Sequence, residues 1–384
     1  MLGHVAVGTW SGGRFMRFGQ PISDERFEAL LRPGGGINTL ITADAYGAGE
    51  ADALLGRALA GVPRCDYALV AAVGHDFYEG ERDGAKGFPR FTDPRLRRPD
   101  DYRDYLRMAV ERSLERCGVD SFDLLLLHNP DRRGFESPEV WEALRELRDD
   151  GLTRALGLAP GPANGFTLDV IGCFERYGEL IDWAMLILNP FEPWPGELAL
   201  DAAMQHGVKV LTRVVDYGGL FHDDVLPGHS FEGHDHRGFR PEGWVEAGRE
   251  RLERIRPIAD RHGLTPLQLA CVWNLAHDAV ECVVPTLIQE RGEDAKPIER
   301  KRDELAAVPA KPLLSEEELA EIRAVGDNRG SMLLKGATPD HEGDERADRW
   351  ELRPEQAELA ARWGIDPDRD LRKSRRSDPV SRPV

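Results

Sequence analysis

Two side chains able to move protons close short apolar runs: Tyr46 ends Asn38–Tyr46 and His128 ends Phe122–His128. A phenol and an imidazole on adjoining strand ends form a proton-transfer pair, because His can polarise an oxygen that Tyr protonates or deprotonates. Other polar groups sit at comparable positions. Asp44 and Glu50 accompany Tyr46; His75 and Asp76 follow Tyr67–Gly74; Asn129 and Asp131 follow His128. Asn189 ends Asp182–Asn189, Arg213, Asp216 and Tyr217 lie at the end of Val208–Val215, and Trp10 follows His4–Thr9. Tyr46, His128 and Asp44 are therefore the candidate catalytic residues, and Trp10, His75, Asn189, Arg213 and Tyr217 the candidate substrate contacts. His75 reads either as part of a loop turn or as a second imidazole beside His128. The stretch Phe221–Phe239 holds His222, Asp223, Asp224, His229, His234, Asp235 and His236. Their spacing matches no metal-ligand motif, so a solvated loop with Arg237 bridging acidic neighbours is expected, and no metal.

These residues need a scaffold that gathers strand ends. Eight β-branched or leucine-rich runs recur with helical patterns between them; besides those above they include Thr153–Ala159 and Ala279–Thr286. Most are nearly continuous in apolar residues, as strands buried on both faces must be. Helix ends are marked by Ser23-Asp24, Asp100-Asp101, Ser137-Pro138, Thr265-Pro266 and Ser315, with Gly118 and Gly151 as stops. Eight strand–helix units predict a (β/α)8 barrel, whose reactive groups lie at the strand C-termini. An open doubly wound sheet is the rival, but no GxGxxG follows the first strand. The barrel is expected over residues 1–329. A C-terminal extension, 330–371, could cover the mouth, and 372–384 is expected to be disordered.

Composition narrows the function classes. The 384 residues carry a formal charge of −18, which disfavours nucleic acid and anionic lipid as partners. No apolar run approaches the ~20 residues of a membrane helix. Five scattered cysteines, odd in number and without a CxxC pair, read as reduced core thiols. Without an export signal at the N-terminus, a cytoplasmic protein is expected.

Thr42-Ala43-Asp44-Ala45-Tyr46-Gly47-Ala48-Gly49-Glu50, Asp123–His128, the late helix Gly263–Ala270 with Trp273, and Leu314–Leu319 resemble the motifs of the aldo/keto reductases, in order, over residues 4–326. The resemblance implies carbonyl reduction with NADP(H) or NAD(H) by an Asp, Tyr, Lys and His. Tyr46 and His128 match; the Asp and Lys positions hold Ile41 and Ala72. In the family the Lys lowers the tyrosine pKa, so Tyr46 is expected to titrate near the ordinary value of about 10. Lys86, in the Gly74–Asp101 loop, is the candidate replacement. The nicotinamide contacts also differ: Ala159-Pro160 stands for Ser-Asn, Met185 for Gln, and Thr286 for the Gly of a phosphate-binding turn. Arg291, Arg300 and Arg302 are the cations left for an adenosine phosphate.

Three readings follow. The first is a divergent enzyme acting on a small carbonyl or polyhydroxyl metabolite through Tyr46 and His128, without a nicotinamide cofactor. The second is an NADP-linked oxidoreductase with a substitute lysine, and the third a noncatalytic ligand-sensing or partner-binding scaffold.

Overall fold

The computed structural model describes residues 1–83, 87–161, 166–231, 234–240, 243–311, 313–328 and 352–371. Eight parallel strands form one sheet in sequential order: β1 Ala6–Gly8, β2 Thr39–Ala43, β3 Ala68–Val73, β4 Leu124–His128, β5 Leu156–Ala159, β6 Trp183–Ile187, β7 Lys209–Arg213 and β8 Val280–Val284. A parallel bridge between Val5 and Val283 closes the sheet into a barrel. Every strand lies inside one of the eight apolar runs, trimmed by a few residues at its ends.

Outside the barrel run α1 Asp24–Leu31, α2 Glu50–Leu59, α3 Tyr102–Cys117, α4 Arg132–Glu136, α5 Pro138–Asp149, α6 Phe166–Tyr177 and α7 Leu200–Gln205. They are followed by α8 Trp244–Arg261, α9 Pro266–Leu275, α10 Ile298–Ala306 and α11 Glu316–Val325. Their ends follow the sequence signals. Ser23, Thr265 and Ser315 each accept a backbone N–H three residues on, and the last two form reciprocal boxes with Gln268 and Glu318. Such caps contribute about 1 kcal/mol each.

Side-chain alternation along the strands divides the apolar residues into two cores. Ile41, Ala43, Val70, Ala72, Leu124, Leu126, Met185 and Leu211 fill the barrel interior. Leu40, Leu69, Leu125 and Leu127 face the helices instead. This parity decides which strand-end residues can face the mouth.

The described part of the C-terminal extension forms α12 Pro354–Arg362 and α13 Pro367–Asp370. It lies on the flank against α6: Arg353 and Gln356 reach Asp169, and Arg362 and Trp363 reach Glu175. Only its end meets the rim, where the Trp194 indole N–H donates to the Asp370 carbonyl. Residues 330–351 and 372–384 lie outside the described residues. Among the cysteines, four are buried and Cys65 is exposed on a short turn, so that thiol is not a core residue. Among the described residues, no helix is long and apolar enough to cross a membrane.

Candidate active site

Past β2 the chain turns so that Tyr46 packs on the upper layer of the barrel interior. Trp10, Tyr46, His128 and His75 stand in a row of edge-to-face rings, with centroids 6.5, 5.8 and 5.0 Å apart. Two glycines allow this closeness. A Cβ on Gly8 would stand 2.4 Å from the Trp10 ring, and one on Gly74 would stand 2.3 Å from the His128 carbonyl oxygen.

Each ring has a distinct electrostatic state. His128 is buried, and its Nδ1 has no hydrogen-bond partner among the described residues. Burial first, then His75, Arg90 and Arg213, hold its pKa well below the usual imidazole value, so it is a neutral base at pH 7. Burial raises the Tyr46 pKa above the ordinary phenol value, and the Arg213 cation opposes that rise only in part. Tyr46 therefore remains a proton donor, rather than titrating near its ordinary value as the missing lysine alone suggested.

His75 is the positioning residue of the row. Its Nδ1 lies 2.9 Å from both the Phe88 carbonyl and Arg90 Nη1, and its Nε2 lies 3.2 Å from Asn129 Nδ2. Tyr105 donates to its carbonyl at 3.0 Å. Burial and Arg90 push its pKa down to about 3, so it is neutral, with both ring nitrogens engaged. Asn129 reaches it because the backbone takes a left-handed turn there, at φ 45°. Arg90, which also donates to the Asn129 carbonyl, was not singled out from sequence. It arrives from a long irregular loop, and nothing local marks it.

Arg213 is the inward-facing end of β7, paired in register with Ile187 and Val284. Its Nη2 donates to the Pro160 carbonyl at 3.1 Å. It also borders a small cleft of about 40 Å³ with Pro160, Gly161 and Ile187.

The remaining sequence candidates lie elsewhere. Asp44 has the opposite strand parity from Ala43: its buried carboxyl sits with Asp52, Arg116 and Asp76 beneath α2 and α3. Burial holds it well above the usual carboxylate range, and neither oxygen has a hydrogen-bond partner among the described residues. Asn189 is fully engaged in its own turn, donating to Glu192 and the Val214 carbonyl and accepting from the amides of Phe191 and Glu192. Tyr217 packs between Phe191 and Trp244, with the Arg240 guanidinium 4.4 Å from its ring centroid. Arg302 donates to the carbonyls of Leu30, Arg32 and Gly34, beyond α1. Arg291 and Arg300 are exposed, and Lys86 lies outside the described residues.

The Phe221–Phe239 loop is anchored by ion pairs. Arg237 bridges Asp235 and Glu290, Lys301 reaches Asp224 at 2.7 Å, and His222 Nε2 meets the Thr286 carbonyl at 2.8 Å. Among the described residues no group of His, Cys, Asp and Glu is arranged to hold a metal ion.

A model of the aldo/keto reductase family matches residues 4–327. The chain belongs to that family. It is 26% identical over 278 residues to an aldo-keto reductase of Bacillus subtilis, covering 71% of this chain and 77% of that protein. To a D-threo-aldose 1-dehydrogenase of Pseudomonas sp it is 29% identical over 174 residues, 41% of this chain and about half (52%) of that enzyme. Among solved structures, the glycerol dehydrogenase of Gluconobacter oxydans matches with a TM-score of 0.63 at 23% identity, over 84% of this chain and 91% of that one. An aldo/keto reductase of Klebsiella pneumoniae, crystallised with NADP and acetate, matches with a TM-score of 0.57 at 22% identity, over 85% and 92%. These structures establish the barrel.

The two positions that the motif resemblance sets against the family's Asp and Lys, Ile41 and Ala72, make physical sense together. Ile41 and Ala72 are both buried in the barrel interior, where either member of an Asp–Lys pair left alone would be an uncompensated charge. Replacing both by apolar side chains avoids that penalty. The dinucleotide contacts are altered in a comparable way. Met185 is buried in the barrel interior and Pro160 has no N–H to offer. At the turn after β8, the Thr286 amide donates to the Asp216 carboxylate at 2.7 Å and the Leu287 amide donates to Ser11, while Asp216 also accepts the Gly219 amide of its own turn after β7. Asp216 thus engages one amide of the turn after β8, with buried Glu290 and the Asp224–Lys301 pair in the same loop network. The described residues do not fit a dinucleotide phosphate there.

Proposed function

We propose that this aldo/keto reductase family member acts on a small carbonyl or polyhydroxyl compound by proton transfer alone, with Tyr46 as acid and His128 as base. One observation carries the reading: the Asp216 carboxylate already holds the Thr286 amide of the turn after β8, while among the described residues His128 Nδ1 has no hydrogen-bond partner. Neutral His128 removes the proton from the carbon next to the carbonyl. Tyr46 protonates the carbonyl oxygen as the C–H electron pair becomes the C=C bond of an enol. The Arg213 cation steadies the negative charge that builds on that oxygen. Where the α-carbon carries a hydroxyl, return of the proton from His128 to the former carbonyl carbon, as the α-hydroxyl gives its proton to the Tyr46 phenolate, yields the isomer; expulsion of a β-hydroxyl as water, protonated by His128 while the enol O–H returns its proton to Tyr46, yields an α,β-unsaturated carbonyl. Neither outcome needs an oxidant or reductant.

The second reading, reduction with NADPH, is favoured by family membership and by the Klebsiella relative's crystal structure with NADP. It requires a cation to take the place that Ala72 leaves, and Lys86 is its candidate. The two readings separate in deuterated water. Nucleotide-free protein, incubated with short aldoses, ketoses and sugar acids, should exchange the α-hydrogen without added cofactor, and Tyr46→Phe should abolish the exchange. Conversion only with NADPH, accompanied by its oxidation, would replace the first reading with the second.

A further inference from the structure

The chain is strongly acidic overall, yet the charges that act on its candidate site are cationic. His128 is influenced by Arg90 and Arg213, and Tyr46 by Arg213. Elsewhere the structure neutralises its buried arginines: Arg97 is paired with Asp76 and Glu79, Arg237 with Asp235 and Glu290, and Arg240 with Glu192. Arg213 differs. Its Nη2 donates to the Pro160 carbonyl, and among the described residues no carboxylate lies within ion-pair distance of it. Arg90 likewise bonds two carbonyls and the His75 ring. Both arginines are half-buried, and a partly desolvated guanidinium without a counter-anion is open to an anionic ligand.

We propose that Arg213 is the binding residue for a carboxylate on the substrate, next to the carbon whose oxygen faces Tyr46 and His128. The class is a short 2-oxo or 2-hydroxy acid. Three features point to it. Arg213 is the inward-facing end of β7, so its head group reaches the same mouth as Tyr46. Its planar donor edge matches a carboxylate. Arg213 is only half-buried and lines an open cleft with Pro160, Gly161 and Ile187, so its guanidinium is reachable from solvent. Arg90 strengthens the same field from the opposite side through His75.

This inference rests on the site proposed above but not on its chemistry, so its test is binding. Calorimetry on the full chain would compare pyruvate and lactate with hydroxyacetone and propanediol, their neutral counterparts. The acids should bind at least about thirtyfold more tightly, as one charge-assisted contact provides. Arg213→Met should erase that preference, and Arg213→Lys should retain part of it. In the unaltered protein, pyruvate should protect the Arg213 peptide from phenylglyoxal, which gives a readout independent of whether the variants fold. Equal affinity for acids and neutral analogues, no binding of either acid, or no protection of Arg213 would each overturn the assignment. If acids bind through Arg213 but no cofactor-free exchange occurs, the anion site stands and the proton-transfer reading falls.

Discussion

The mouth beside β2 to β4 and the rim beside β7 and β8 contain similar inventories of histidine, arginine and carboxylate, but they use them in opposite ways. At the rim the polar groups answer one another: Asp216 holds two amides, Arg237 joins Asp235 to Glu290, and Lys301 joins Asp224 to the Ile288 carbonyl. At the mouth, among the described residues, His128 Nδ1 has no hydrogen-bond partner and Arg213 no carboxylate within ion-pair distance. Satisfied networks fix loops; buried groups without protein partners are available to a ligand. On the proposed reading, the internally paired rim leaves little for a dinucleotide, and the mouth keeps its acid, base and cation for a small substrate.

The contrast breaks most visibly in turnover. Tyr46→Phe and His128→Ala should each lower the rate by about 10² to 10⁴, the usual range for loss of a general acid or base, with melting temperatures close to the parent. Unchanged rates in both would make the mouth a packing feature. Arg237→Met should act the other way, lowering stability by about 3–5 kcal/mol, because it leaves Glu290 and Asp235 buried without their cation. Urea unfolding would read this, while turnover per folded molecule stays near that of the parent.

A smaller effect tests whether the mouth keeps its histidines neutral. The folded His75 ring has its pKa lowered to about 3, whereas the unfolded ring takes up a proton near the usual value of about 6.5. Its contribution is therefore complete above that value and declines as pH falls towards the folded pKa. Relative to His75→Gln, the parent should lose about 2 kcal/mol between pH 6.5 and 5. A pH-independent difference in urea midpoints would show that the ring protonates freely in place. The smallest effect belongs to the rim: Thr286→Gly should change stability by less than about 1 kcal/mol and confer no NADPH-dependent shift in melting, because Asp216 still holds the amide of that residue.

The barrel was legible because its signals are local and repeated: apolar runs for strands, and Ser, Thr and Gly at helix ends. Tyr46 and His128 were legible as strand-end residues and through the family motifs around them. Asp44 was misplaced because a motif position does not state which side of a strand a residue occupies. The parity of Ile41 and Ala43 as interior residues and Thr42 as an exterior one sends Asp44 outward. Asn189 and Tyr217 also follow strands, but the turns after β6 and β7 fold back and engage them locally. Arg90 and the engagement of Asp216 could not be read at all, since each depends on a loop meeting a residue far away in the chain.

We propose that the rim has no place for a nicotinamide dinucleotide. Calorimetric titration of the nucleotide-stripped full chain with NADPH and NADH, at moderate salt, tests it most directly. The account predicts no saturable heat up to about 1 mM, which corresponds to binding weaker than about −4 kcal/mol. A micromolar dissociation constant for either nucleotide would contradict it, and would show that Asp216 yields its amides to the cofactor.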